Sequence, residues 1–299
     1  MCEKPLITCY LLTYNKFEYI YKALDSIFMQ EYPNIELAIF DDHSEYFPEK
    51  ELYEYIKKNK RSNIKNVIIK RNDTNVGTVK NLNNVIKNTH GKYLLGAGID
   101  DELYDEYVFD NVVKSFEENN AYVVTCYKYI IDEKNKILCK SPSKLAVHRI
   151  KNATTDELFK MVSMGVAIAG AGTYYSRKIF EESGIYDERY RLQEDGPFYL
   201  RILREGYKIH FADIIAVKYR LGNGVSSSKE LHPDLKKDIN NMLTYEVLPY
   251  IDKFNFWEKR RVYYQVERFK DNKMLSLQQK VKYCLKYPDV VLYRKIMAS

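Results

Sequence analysis

Two aspartates stand side by side at Asp100 and Asp101, directly after the apolar segment KYLLGAG (92–98). Adjacent carboxylates repel, so such a pair either faces open water or holds something positive. The same question arises at two other acidic pairs, Asp41–Asp42 in IELAIFDDHS (35–44) and Glu194–Asp195 in QEDGPFYLRILREG (193–206). Asp100 and Asp101 suit a hard divalent cation, Mg²⁺ or Mn²⁺, which one or two carboxylates hold together with substrate phosphates. Such a cation stabilises a diphosphate as a leaving group. The same pair could equally open the next helix, whose N-terminus favours negative charge. At Asp41 and Asp42 a carboxylate can accept a hydrogen bond from a base N–H or a ribose hydroxyl, or close an Asx-type turn with Ser44. Tyr14, beside Thr13, can stack on a flat base or simply pack. Glu194 and Asp195 can cap the helix that has Pro197 in its first turn. Alternatively, one of them serves as a general base, taking the proton from a hydroxyl as its oxygen attacks.

These residues need elements to position them. LITCYLLTY (6–14) reads as a buried strand. Asn15 is placed to cap the helix that follows, in which Ile20, Ala23, Leu24, Ile27 and Phe28 recur at helical spacing. Further strands are expected at 35–40, 66–70 and 92–98, and helices at 49–59 and 78–89, the latter closed by Gly91. Strands alternating with helices imply a mostly parallel sheet covered on both faces. Ligands on such sheets bind beyond the carboxyl ends of the strands. TYN, DDHS and IDDE all sit at such ends. Beyond Asp101, helices are expected at 106–120, 154–163, 177–184 and about 196–205, and strands at 121–131 and 208–220. The stretch 140–150 reads as an exposed connection. All twelve glycines lie between Gly77 and Gly224, so the glycine-free remainder is expected to be mainly helical.

Bulk properties remove several classes of function. At 299 residues, with 45% hydrophobic and 29% charged residues, the chain is an ordinary globular protein. Its five cysteines are scattered, with no Cys-x-x-Cys, which argues against a disulfide framework or zinc ribbon and for a reducing cytosol. The first fifteen residues lack the basic start and long apolar run of a signal peptide. No G-x-G-x-x-G follows the first strand, and no G-x-x-x-x-G-K-[ST] occurs, so phosphates would need a metal rather than a glycine-rich loop. His43 is expected to shape the DDHS loop, His210 to pack within its strand, and His232 to have only a small chance of ligating a metal.

The order and spacing of LLTYNKFEYIYKALDSIFMQEYPNIELAIFDDHS, NVGTVKNLNNVIKNTHGKYLLGAGIDDELYD and SGIYDERYRLQEDGPFYLRILREGYKI resemble the family 2 glycosyltransferases. The likeness runs over roughly residues 6–228. It implies the GT-A fold, a Rossmann-like, mostly parallel α/β sheet, and an inverting transferase that uses a nucleotide-activated sugar. Thr13, Tyr14, Asn15 and Asp42 then fall where the family contacts the base, most often uracil. Asp100 corresponds to the acid near the ribose and the metal-bridged phosphate, and Asp101 to the metal ligand for Mn²⁺ or Mg²⁺. Asp195 corresponds to the base that deprotonates the acceptor, with Glu194 beside it. The sequence departs from the family's Asp-x-Asp-Asp at its first position, which is Gly98. It also lacks the usual histidine in YRLGNGVSSS, so Arg220 and the serines become the candidate phosphate contacts.

The expected organisation is a catalytic domain over 1–228 and a basic helical extension over 229–299. Within the catalytic domain, 1–101 binds the nucleotide sugar and 102–228 the acceptor. The extension is where positive charge collects. Twelve Lys/Arg oppose four Asp/Glu between residues 253 and 299, a net +8 against +6 for the whole chain. A tail mixing Lys and Arg with Tyr, Val and Leu can rest on an anionic leaflet, as a lipid-linked acceptor would require, or pack on the body or on a second subunit. The body carries a net −2 and no recognition motif, which argues against nucleic acid. The expected protein is cytoplasmic, with the tail able to lie on the inner face of the membrane. It is expected to act on a glycan or lipid-linked acceptor, as in synthesis of a surface glycan such as capsule or lipopolysaccharide. A non-catalytic nucleotide or sugar binder with a degenerate site is the alternative that Gly98 favours.

Overall fold

A computed structural model describes residues 3–166, 168–222, 231–270 and 277–290. The first half follows the alternation read from the sequence. Strands β1 (Ile7–Thr13), β2 (Ile35–Asp41), β3 (Ile64–Arg71) and β4 (Tyr93–Ala97) are joined through helices α1 (Ile20–Phe28), α2 (Glu49–Asn59) and α3 (Thr78–Asn88). All four strands run parallel, in the order β3-β2-β1-β4. Every residue of β2 is buried, as expected of an inner parallel strand covered on both faces. In β1, Ile7, Cys9 and Leu11 enter one core with α1, while Tyr10 and Leu12 pack on the other side of the sheet.

The second half adds β5 (Glu102–Leu103), α4 (Val108–Asn119), β6 (Val123–Ile131), β7 (Ile137–Ser141), α5 (Lys144–Asn152), α6 (Thr155–Ser163), β8 (Thr173–Ser176), α7 (Arg177–Ser183), α8 (Asp195–Arg204) and β9 (Ile209–Arg220). The sheet continues β4-β8-β6-β9-β5, with β7 paired to β6. β8 runs antiparallel to β4 and β6, so the sheet is mixed in this half. One apolar core lies between the sheet and α1, α2 and α4, and a second between the sheet and α3, α6, α7 and α8.

Three local expectations are corrected. Asn15 does not cap α1, which starts at Ile20 with no side-chain cap. Its Oδ1 accepts instead from the Glu45 amide at 2.8 Å. Gly91 does not close α3. That helix ends at Asn88, and Gly91 passes so close to β1 that a Cβ would lie 2.2 Å from the Thr8 nitrogen. The stretch 140–150 is not a bare connection, because it holds the end of β7 and most of α5, whose N-cap Ser143 accepts from the Ala146 amide.

The C-terminal region is helical: α9 (Pro233–Met242), a π-helical turn (Leu243–Val247), a 3₁₀ segment (Leu248–Lys253), α10 (Phe256–Lys270) and α11 (Leu277–Lys286). Val262 of α10 is wholly buried in the second core, and Gln265 donates to the Ser163 carbonyl at 3.0 Å. Beyond α11, Tyr287 donates to Glu267 at 2.8 Å and Asp289 pairs with Arg260 at 2.7 Å. The tail therefore packs on the body. Lys273, Arg294 and Lys295, part of its basic count, lie outside the described residues.

Candidate active site at the carboxyl ends of the strands

β4 ends at Ala97, and the chain turns through Gly98 so that the Asp101 amide donates to the Gly98 carbonyl at 3.2 Å. The Asp101 carboxylate folds back over that glycine. A Cβ at Gly98 would stand 2.4 Å from Asp101 Oδ2, so the missing first aspartate is also the space Asp101 uses. Asp101 is buried, and its Oδ1 accepts from the Arg220 amide at 3.0 Å, tying the turn to the end of β9. Burial, with the charge of Asp100 added, pushes the Asp101 carboxyl up to about 7. Asp100 is raised by burial as well.

Arg220 is not placed as the phosphate contact suggested by its position. Its side chain is wholly enclosed. It donates to the carbonyls of Asp100 at 3.2 Å and Asp132 at 3.0 Å, and to Asn135 Oδ1 at 2.7 Å, with Glu102 at 3.3 Å. Its guanidinium lies 4.3 Å from the Tyr19 ring centre. Arg220 is thus a clamp that holds the acidic turn against the 132–135 hairpin. The serines of 226–228, paired with it in the sequence reading, lie outside the described residues.

Glu194 and Asp195 open α8, and Asp195 Oδ1 accepts from the Gly196 amide at 2.6 Å. Burial raises both carboxyls. The charge of Asp195 raises Glu194 further, whereas backbone N–H groups and Lys128 pull Asp195 back down. Both acids therefore sit above the usual carboxylate range, and only Asp195 has backbone N–H groups and a lysine favouring its charged form. Asp100, Asp101, Glu194 and Asp195 line a single cleft of about 680 Å³, and Lys128 and Tyr10 line it too. Sequence reasoning missed these last two. Lys128 had left a signal, a lone lysine inside the apolar strand AYVVTCYKYII.

The other predicted residues lie at the ends of β1 and β2. Leu11 pairs with Ala97, so Thr13 is level with the turn that follows β4. Thr13 donates to Asp41 Oδ1 at 2.9 Å, and the Ser44 amide donates to Asp41 Oδ2 at 2.8 Å, which is the Asx-type closure. Tyr14 stands half exposed. Asp42 does not line the cleft, and its oxygens accept from the amides of Val76 and Gly77, both at 2.8 Å, and from Asn72 at 2.9 Å. It thereby fixes the entry to α3, where Gly77 takes a left-handed φ of 88° and Thr78 reaches the cleft wall. His43 Nδ1 lies 3.2 Å from the Asn72 carbonyl, within the same loop system. His232 is not a ligand in this arrangement, because its ring nitrogen caps α9 by accepting from the Asp234 amide at 3.2 Å.

Among the described residues, no three His, Cys, Asp or Glu side chains converge as a protein-only metal cage. The donor set still fits Mg²⁺ or Mn²⁺ of the kind bound by one or two carboxylates plus substrate phosphates. Asp101 offers hard oxygens in a buried position where its own charge is undercompensated.

The sheet order, the acidic turn after β4 and the acidic opening of α8 define a GT-A nucleotide-sugar transferase architecture. The model of glycosyl transferase family 2 matches residues 8–184, and the chain belongs to that family. An uncharacterized glycosyltransferase of Rickettsia felis is 27% identical over 236 residues, covering 75% of this chain and 36% of that protein. MJ1057 of Methanocaldococcus jannaschii, also an uncharacterized glycosyltransferase, is 27% identical, covering 74% and 72%. TuaG of Bacillus subtilis, assigned by name to teichuronic acid biosynthesis, is 23% identical, covering 76% and 83%. The chain thus spans about a third of the Rickettsia relative and nearly three quarters of MJ1057. Among solved structures, residues 1–349 of Staphylococcus aureus TarS in complex with UDP-GlcNAc superpose with a TM-score of 0.64. That match is 15% identical and covers 96% of this chain and 80% of TarS 1–349.

Proposed function

We propose that the protein transfers a sugar, with inversion, from a nucleotide-diphosphate donor to a hydroxyl of a glycan or lipid-linked acceptor. The observation that carries this reading is that Asp101 and Asp195, far apart in the chain, line one cleft. The donor is a UDP-sugar in this proposal, supported by the UDP-GlcNAc complex of the similar TarS. A role in surface polysaccharide synthesis is supported by the likeness to TuaG.

Asp195 takes the proton of the acceptor hydroxyl as its oxygen attacks the anomeric carbon. Of the pair, Asp195 is the one whose charged form backbone N–H groups and Lys128 favour. Asp101, with Asp100, would hold a divalent cation, which when bound offsets the charge of the departing diphosphate. Asp42 holds the 76–77 loop through its amides, and Thr13, Tyr14 and Asn15 are proposed as the contacts to the base. One displacement inverts the anomeric centre without a covalent intermediate. We assign 1–101 to the donor, 102–228 to the acceptor and 229–299 to the extension.

A panel of nucleotide sugars incubated with Mn²⁺ and scored by released nucleotide tests the reading. Turnover of one donor, lost in Asp101→Ala, supports it. Binding without release by the wild-type protein would favour the sugar-binding alternative that Gly98 suggests.

The extension is proposed to lie on an anionic membrane surface. On α11, Val281 and Leu285 are exposed, Leu285 at 79%, next to Lys282. Among the described residues, no helix is long and apolar enough to cross a membrane.

A further inference from the structure

The cleft gathers four carboxyl groups yet is proposed to receive a diphosphate. A cation of the chain would add to what a divalent ion offsets, and Arg220 has no surface left to do so. Lys128, on β6, is the only cation among the described residues lining the cleft. Among the described residues its ammonium has no hydrogen-bond or ion-pair partner. It rests over the face of Tyr219, 4.0 Å from the ring centre, and Tyr219 also lines the cleft. An ammonium carries three donors. Here no described residue takes them in a partly desolvated position, although the fields of Asp101 and Asp195 both reach the group. A lysine that served only to neutralise those carboxylates would bond to one of them. Instead the ring holds it off, as suits a point charge awaiting a phosphate.

We infer that Lys128 is the phosphate-binding cation of the cleft, its ammonium taking an anionic phosphate oxygen of the substrate beside Asp101 and Asp195. The phosphate belongs either to the donor's diphosphate or to a phosphorylated acceptor. The inference rests on the transferase reading above.

The test uses the full-length protein with Mg²⁺, as wild type, Lys128→Met, Lys128→Gln and Lys128→Arg, each first shown to melt cooperatively. UDP and UMP are titrated calorimetrically, and inorganic phosphate is then titrated into the UDP-saturated protein. If Lys128 meets the donor, UDP binds Lys128→Met and Lys128→Gln at least about tenfold more weakly, UMP changes less than about twofold, and Lys128→Arg recovers most of the loss. If it meets the acceptor, UDP is unaffected and the phosphate step weakens about tenfold. Unchanged binding of both probes overturns the inference, as does an equal loss for UDP and UMP. A wild-type protein that binds neither UDP nor UMP takes the donor reading down and this inference with it.

Discussion

Asp101 is an ionisable group placed where water is scarce and a like charge is adjacent. Its carboxyl is raised to about 7 in the folded protein, against an ordinary value near 4 when unfolded. A raised acid favours folding below its unfolded value, and that contribution is lost as pH rises to the folded one. Asp101→Asn removes the loss. The variant should melt a few degrees above wild type at pH 8, and the gain should grow between about pH 4 and pH 7 and then stay flat. Thermal melts without added metal, run across that range, check the slope. A constant offset would mean the carboxyl is not strained by burial. The residue scale was the most legible in the sequence, because paired acids after apolar runs stand out. What could not be read was which partner each acid meets. Asp42 and Asp101 look alike as letters, yet one accepts from loop amides and the other faces the cleft.

Strand ends do the positioning, and Arg220 shows how. It is the last residue of β9, and its backbone and side chain together bind the turn after β4 and the 132–135 hairpin. Arg220→Met should cost roughly 3–5 kcal/mol in urea unfolding, since removing a buried, fully bonded charge orphans its partners. A cost under about 1 kcal/mol would show the clamp to be dispensable. The regular elements were readable because their periodicity is strong: α2 spans 49–59 as its pattern predicts, and β9 begins one residue after its predicted start. Errors gathered where side chains decide locally. Asn15 reads as a helix cap but is drawn to Ser44 and Glu45 across the sheet's end, a partnership 30 residues away. Ser143 was a sound cap signal masked by the short, exposed strand before it.

At the scale of the whole molecule, one mixed sheet carries the acids of both halves to a common edge. The antiparallel β8 lies between β4 and β6, a topology that alternation alone does not specify. The two long helices of the basic tail differ in how they are packed. α10 is committed to the body through Val262, whereas α11 turns Val281 and Leu285 outward. Replacing both by Glu should reduce sedimentation with phosphatidylserine vesicles at least about fivefold at low salt and leave the melting temperature within 2 °C, roughly the size of ordinary surface effects. Equal sedimentation of the variant would assign the tail to packing alone. The central claim is that the acids act together with separate duties. It is tested most directly by measuring, for Asp195→Asn, donor affinity and turnover side by side with the nucleotide sugar that the wild type uses. Affinity should stay within about threefold while transfer falls at least about 100-fold. Parallel loss of both, or turnover at the wild-type rate, would contradict it.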